Sequence, residues 1–282
     1  IDLFGIPSVT PLSGAEAPKG KGPKLTELAV LLSTNDGTRN TDIDHALWPN
    51  PTALDRQPDS PAKTKKIAAR RAEPISRLRA WLGATESGEP ALPHTGDSTG
   101  NAIYRLHEDV VRGTSWNRFV DLLQTSPAHA TTGRLVAAMT LVHDRPLANR
   151  TAARYAWADH LEQDVISQVT DAAEELAIRH LTNGDLAAAV EVAEQGIMID
   201  SAHEGCRRII IIIANAEGDY VQAQEHIDIL LSEVAELDVE LYEETNKLFS
   251  ALADLDDDEG QPRYTITGVT SRRKSSDRAR TA

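Results

Sequence analysis

Few residues of this chain have the types and spacing that covalent chemistry needs. Gly96-Asp97-Ser98-Thr99-Gly100 matches G-x-S-x-G, the nucleophile-elbow pattern. That elbow requires a buried strand before the serine and a helix after it, so that the hydroxyl stands exposed on a strained turn. Here Pro90 to Thr95 precedes the motif and a strand-like segment follows, so it reads as a loop tip. His143-Asp144 and His160 with Glu162 come closest to a ligand pair, but neighbours one or two apart on a helix do not share a face. None of the nine histidines forms H-E-x-x-H or H-x-x-x-H, which removes the geometry of a helix-borne metal site. Gly20-Lys21-Gly22 lacks the frame of a phosphate loop. A single cysteine, Cys206, excludes a disulfide framework and any multi-cysteine cluster and fits a reduced cytosolic setting. The expectation is a protein that is not an enzyme and uses no cofactor or metal.

The remaining chemistry is charge. Arg56 to Arg79 holds eight basic residues against Asp59 and Glu73. At 100° per residue Lys63, Lys66, Arg70 and Arg77 fall within an arc of about 60°, and Ile67, Ile75, Leu78 and Leu82 on an adjacent arc of about 80°. One face would anchor a helix, and the other would offer cations to phosphates or guanine edges. Lys63, Lys66 and Arg70 are the expected phosphate contacts, with Lys65, Arg77 and Arg105 completing the candidate DNA-binding set. Arg71 falls inside the apolar arc, and Pro74 is expected to kink or split the helix.

These residues must be positioned by an order of short elements. Ile1 to Thr10 suits one or two edge strands, and Pro18 to Pro23 a loop. Leu25, Leu28, Leu31 and Leu32 have helical spacing, stopped by Asn35-Asp36-Gly37. Asn40 or Thr41 can cap a second short helix with Ile43, Ala46 and Leu47, ended by Trp48-Pro49. After a loop from Pro51 to Asp59, Ser60-Pro61 reads as N-cap and first helical residue of a long helix to Leu82, terminated by Gly83. Residues 84–100 with Ala102 to Leu106 fit a hairpin with an irregular tip.

From Ser115 onward the chain reads as helical and contains a repeat. Gly184-Asp185-Leu186 recurs as Gly218-Asp219-Tyr220, 34 residues later, and Ala189 aligns with Ala223 and Ala193 with Ile227. That period is the tetratricopeptide spacing. Ile209 to Ile213 leave no polar face, so their helix should be buried between neighbours. Asp254 to Gly260 is an acidic terminator, and the last twenty or so residues have a disordered composition.

Length and charge agree with this division. A chain of 282 residues, 40% hydrophobic and 26% charged, has a folding composition and room for two domains. Its net charge of −14 is uneven: residues 1–121 balance 15 Lys/Arg with 15 Asp/Glu, 122–260 carry 8 against 27, and the remainder 6 against 1. Acidity in the second half argues against nucleic-acid binding there but not by the first domain. The longest apolar run, Ile209 to Ala214, is far short of the roughly 20 residues of a membrane span, so no insertion is expected. The start at Ile1, with no basic n-region, predicts no signal peptide, and the missing Met suggests a piece of a longer protein.

The order of motifs is distinctive: Ala46-Leu47-Trp48-Pro49, a basic helix closing on Ser76-Arg77-Leu78-Arg79-Ala80-Trp81-Leu82-Gly83, then Tyr104-Arg105-Leu106. It resembles the OmpR-type winged-helix domain of the Streptomyces antibiotic regulatory protein family. Ser115-Trp116-Asn117-Arg118-Phe119, Arg145-Pro146-Leu147 and Tyr155-Ala156-Trp157-Ala158 resemble landmarks of that family's bacterial transcriptional activator domain, a stack of tetratricopeptide-like hairpins. The resemblance covers roughly residues 1 to 250. Ile103 stands where the family's wing has Gly, Ser115 replaces an Asp, and Pro74 lies within the helix that should read DNA.

The resulting expectation is a mainly α protein with little β. A winged helix-turn-helix domain spans 1–112, a helical-repeat domain 115–255, and a disordered, acidic-then-basic tail 256–282. The resemblance implies a cytoplasmic transcriptional regulator that binds double-stranded DNA. It also implies homodimers and contact with RNA polymerase or another protein, and the repeat groove would suit a small effector. The alternative is a protein–protein interaction scaffold, the C-terminal module of a larger actinobacterial protein, whose winged helix no longer binds DNA.

Overall fold

The computed structural model describes residues 1–96, 102–151, 153–255 and 260–266. The protein is mainly helical with a small two-stranded sheet. It divides into two compact units, residues 1–172 and those from Ala173 onward, and the division falls inside one long helix rather than near residue 112.

In the first unit, α1 (Gly22–Ser33), α2 (Asn40–Leu47) and α3 (Pro61–Leu82) enclose a core of Leu25, Leu28, Leu32, Ile43, Leu78 and Trp81. Between α1 and α2 lies β1 (Thr38–Arg39), paired antiparallel with β2 (Ile103–Tyr104), Thr38 opposite Tyr104. Gly37 makes this pairing possible. Its φ is +89°, and a Cβ there would stand 2.8 Å from Ile103 Cγ2. The expected hairpin is therefore rearranged. Residues 84–90 close on themselves, Thr85 N–H donating to Glu89 O at 2.8 Å, and β2 pairs with β1 instead. Pro90 and Pro93 have no N–H to give a ladder, whereas β1 offers a free edge. Most of the G-x-S-x-G motif, residues 97–100, lies outside the described residues.

Local caps set the helix ends. Ser60 Oγ accepts from Lys63 N–H at 3.2 Å at the start of α3, and Gly83, with φ +80°, follows its end. α2 starts a residue earlier than an Asn40 or Thr41 cap predicts, because Asp42 reaches back to the Arg39 N–H at 3.0 Å. The break expected at Pro74 does not occur, and α3 runs through it. The helix is held on both sides of the missing hydrogen bond, by Arg70 and Arg71 ion pairs before it and by buried Ile75 and Leu78 after it.

Ile1 to Thr10 makes only isolated bridges, Asp2 with Ser8 and Phe4 with Pro146. This segment packs on the helices α4 (Glu108–Arg112), α5 (Ser115–Leu123) and α6 (Thr132–Met139) through α5. Phe4 meets Phe119 edge-on at 5.9 Å, and Phe119 stacks on Trp116. That packing draws α5 and α6 into the first unit.

α7 (Asp159–Thr182) crosses the division, and the second unit continues with α8 (Leu186–Ile199), α9 (Glu204–Glu217), α10 (Tyr220–Leu237) and α11 (Glu243–Ala253). The 34-residue repeat appears as two like turns. Gly184 and Gly218 take φ of +79° and +81°, and the following Asp185 and Asp219 cap the next helix through Ala188 N–H and Gln222 N–H. Ala189, Ala193, Ala223 and Ile227 are all buried. Of the five isoleucines in α9, four are buried and Ile212 is 40% exposed. Five consecutive helical residues cover more than a full turn, so one must face outward. Residues 260–266 depart from the expected disordered tail. Tyr264 is buried, donates to Asn215 Oδ1 at 2.6 Å, and lies edge-on to Tyr220. Residues 256–259 and 267–282, the rest of that predicted tail, lie outside the described residues.

Candidate nucleic-acid interface

α3 has two different halves. From Pro61 to Glu73 no residue is buried, and all its buried residues follow from Pro74 on. Around the axis the packed side is equally clear. Ala62, Lys65, Lys66, Ala69, Ala72, Glu73, Ser76, Arg77 and Ala80 fall within an arc of about 140° at 100° per residue, and every one is exposed. The outer face thus alternates alanine with three cations, a serine and a single carboxylate. Small side chains there let a partner's surface approach the backbone closely.

The six predicted site residues divide across this boundary. Lys65 and Lys66 point into solvent and make no ion pair among the described residues. Arg77 is also on the outer face, its Nε 3.0 Å from Glu73 Oε1. Lys63 and Arg70 turn toward the preceding loop. Lys63 Nζ donates to Gln57 O at 2.7 Å and pairs with Asp59 at 2.9 Å, leaving its side chain 14% exposed. Arg70 Nη1 donates to Asp55 Oδ2 at 3.0 Å and to Thr52 Oγ1, and its guanidinium lies 4.3 Å from the Trp48 ring centre. The 60° arc straddles the edge of the packed side. Its inner members, Lys63 and Arg70, hold the loop through part of their donor sets. Arg105, just after β2, is exposed and pairs with the still more exposed Asp36 at 3.2 Å. Such a surface pair is worth under about 1 kcal/mol, so a phosphate can replace it. Arg71, which the wheel placed among apolar residues, pairs with Asp44 on α2 and is largely covered.

Several of these partners escaped the sequence reading. Thr52 and Asp55 have the spacing of a capping box, and that is how they bond: Thr52 N–H donates to Asp55 Oδ2 at 2.9 Å and Asp55 N–H to Thr52 Oγ1 at 3.4 Å. The hydrogen bond from the Thr52 hydroxyl, followed by that from Arg70, holds the Asp55 carboxyl far below the ordinary carboxylate range. A depressed folded-state value stabilises the fold above the unfolded value, near 3.8, and that contribution is lost as pH falls through the depressed one. Asp55→Asn should therefore flatten the acid side of the melting-temperature profile between about pH 5 and 2. An unchanged acid limb in Asp55→Asn would mean that this loop lock is open in solution.

Elsewhere no three His, Cys, Asp or Glu groups among the described residues are placed to hold a metal ion. No described helix is long and apolar enough to cross a membrane.

No family model matches the chain, and no curated protein matches it. Among solved structures it is similar to Mycobacterium tuberculosis EmbR, determined in complex with a low-affinity phosphopeptide. The TM-score is 0.53 at 17% identity, over 93% of this chain and 72% of that one. The chain therefore shares the fold of EmbR over nearly its whole length.

Proposed function

We propose that this chain is a transcriptional regulator that binds duplex DNA. In this reading α1 to α3 with β1 and β2 form a winged helix-turn-helix, and α3 lies in the major groove. The segment of β2 and Arg105 touches the backbone. The observation that carries the reading is the first half of α3. It is a cationic, alanine-rich helix whose outer face is exposed along its length, where a partner of opposite charge would cover it. Support also comes from the order of sequence motifs and from the fold shared with EmbR. The acidic hairpins α7 to α11 repel DNA. They are left to hold a protein partner, RNA polymerase or a second protomer, or a small effector.

A second reading has its own observation. Glu73 sits on the outer face of α3, and Lys63 and Arg70 bond to the preceding loop instead of pointing outward, as in a scaffold that has given up DNA.

Duplex titrations at several KCl concentrations separate the two. Each phosphate neutralised adds about 0.9 to the log–log salt slope. Lys65→Gln/Lys66→Gln/Arg77→Gln should flatten that slope by about 2 to 3 units while leaving stability nearly unchanged. Glu191→Gln/Glu194→Gln, on the exposed side of α8, should leave it unaltered. A wild-type protein that binds no duplex at low salt returns the chain to the scaffold reading. Binding with a slope indifferent to the triple change assigns the reading to another surface.

A further inference from the structure

A cavity of about 240 Å³ lies between the N-terminal turn of α1 and the flank of α3, lined by Lys21, Lys24, Trp48, Arg70, Glu73 and Arg77. Four cations and one carboxylate face it. Glu73 is shared between Arg77 at 3.0 Å and Lys21 at 3.9 Å. Lys24 makes no ion pair or hydrogen bond among the described residues. Its ammonium, half-buried, lies 4.2 Å from the centre of the Trp48 ring, which Arg70 also approaches. Arg70 spends only Nη1 on Asp55 and Thr52. Lys21, the residue just before α1, gives the helix no side-chain cap, so the positive end of its dipole adds to the same charge. Burial holds the Lys24 ammonium below the ordinary lysine value. Arg70 and Lys21 push it the same way, against the pull of Glu27 and Glu73. Such an excess of positive charge in a partly closed space is costly unless an anion shares it.

We infer that this cavity is a phosphate-binding site, formed by Lys24, Arg70 and Arg77 over Trp48 at the first turn of α1. Guanidinium and ammonium groups converging on one small space suit a tetrahedral oxyanion. The 240 Å³ volume is that of a phosphoryl group with a small substituent rather than a large ligand. The phosphate has two sources, a free small phosphate or the backbone of a docked duplex. The second rests on the DNA-reading assignment of α3, since Arg77 belongs to both surfaces.

Trp48 reports on the site directly. Its emission is the difference between the wild type and Trp48→Phe, which removes the signal of the other three tryptophans. Inorganic phosphate is titrated against potassium chloride at constant ionic strength, and a duplex of about sixteen base pairs is titrated separately. A saturable Trp48 response to inorganic phosphate, weakened about tenfold or more in Lys24→Gln, identifies a free phosphate as occupant. A response to the duplex alone, with the same sensitivity to Lys24→Gln, identifies the backbone. Silence of Trp48 toward both, or a Lys24→Gln response equal to wild type, overturns the site. The two readings fail separately. Duplex binding that depends on Lys65 and Lys66 with Trp48 silent removes the cavity and keeps the reading helix. A phosphate response in a protein that binds no duplex does the reverse.

Discussion

Ile211→Asp should abolish the cooperative unfolding of the α8–α11 unit, while Ile212→Asp, one residue along, should cost only about 1–2 kcal/mol. Ile211 is fully buried and packs in one cluster with Ala223, Ile227, Leu230 and Phe249, so it ties α9 to both α10 and α11. Aspartate there removes the apolar contacts and places a carboxylate without a partner among hydrocarbon. Truncation alone costs about 2–5 kcal/mol at such a site, and an unpaired charge adds several more. The sum reaches the whole stability of a typical domain, about 5–15 kcal/mol. Ile212 is 40% exposed on the same helix, so an aspartate there stays in water. Urea unfolding followed by circular dichroism at 222 nm checks the pair. Equal midpoints for the two variants would mean that α9 does not sit at the centre of these hairpins.

Glu27→Ala should lower the stability of the first unit by about 3 kcal/mol, equivalent to roughly 6–12 °C in its melting midpoint. Glu27 is buried on α1, and its carboxylate accepts the backbone N–H of Tyr155 at 2.7 Å and lies 3.6 Å from Arg154 Nε. Tyr155 is fully buried with φ of +59°, a conformation that an aromatic residue adopts only when its surroundings hold it. Alanine leaves that N–H without an acceptor and opens a void beside it. Glu27→Gln keeps a carbonyl for the N–H and gives up only the charge, so its loss should be nearer 1 kcal/mol. Thermal melts of the two variants check this. Identical midpoints would assign the whole effect to charge and none to the Tyr155 hydrogen bond. Arg154 also donates to Pro23 O, so the same small cluster seats Arg154 and Tyr155 on the start of α1.

The features legible in the sequence are those decided within a few residues. Ser60 and Pro61 open α3, Gly83 follows its end, and each Gly-Asp turns one helix into the next, because a cap or a positive φ is a local transaction between a side chain and its own backbone. The burial of the isoleucine run was legible too, since no rotation of that helix could expose all five residues. What the sequence did not determine is where the core stands around α3. A helical wheel gives the angle between Lys63 and Lys66 but not which of them faces inward, and that depends on Trp48, Thr52 and Asp55 closing over one side. The pairing of β2 with β1, whose partners lie 64 and 66 residues apart, and the hold of Glu27 on Tyr155, 128 residues away, were likewise settled only by tertiary structure. At such separations many partners of equal local preference compete, and packing of the whole core selects among them.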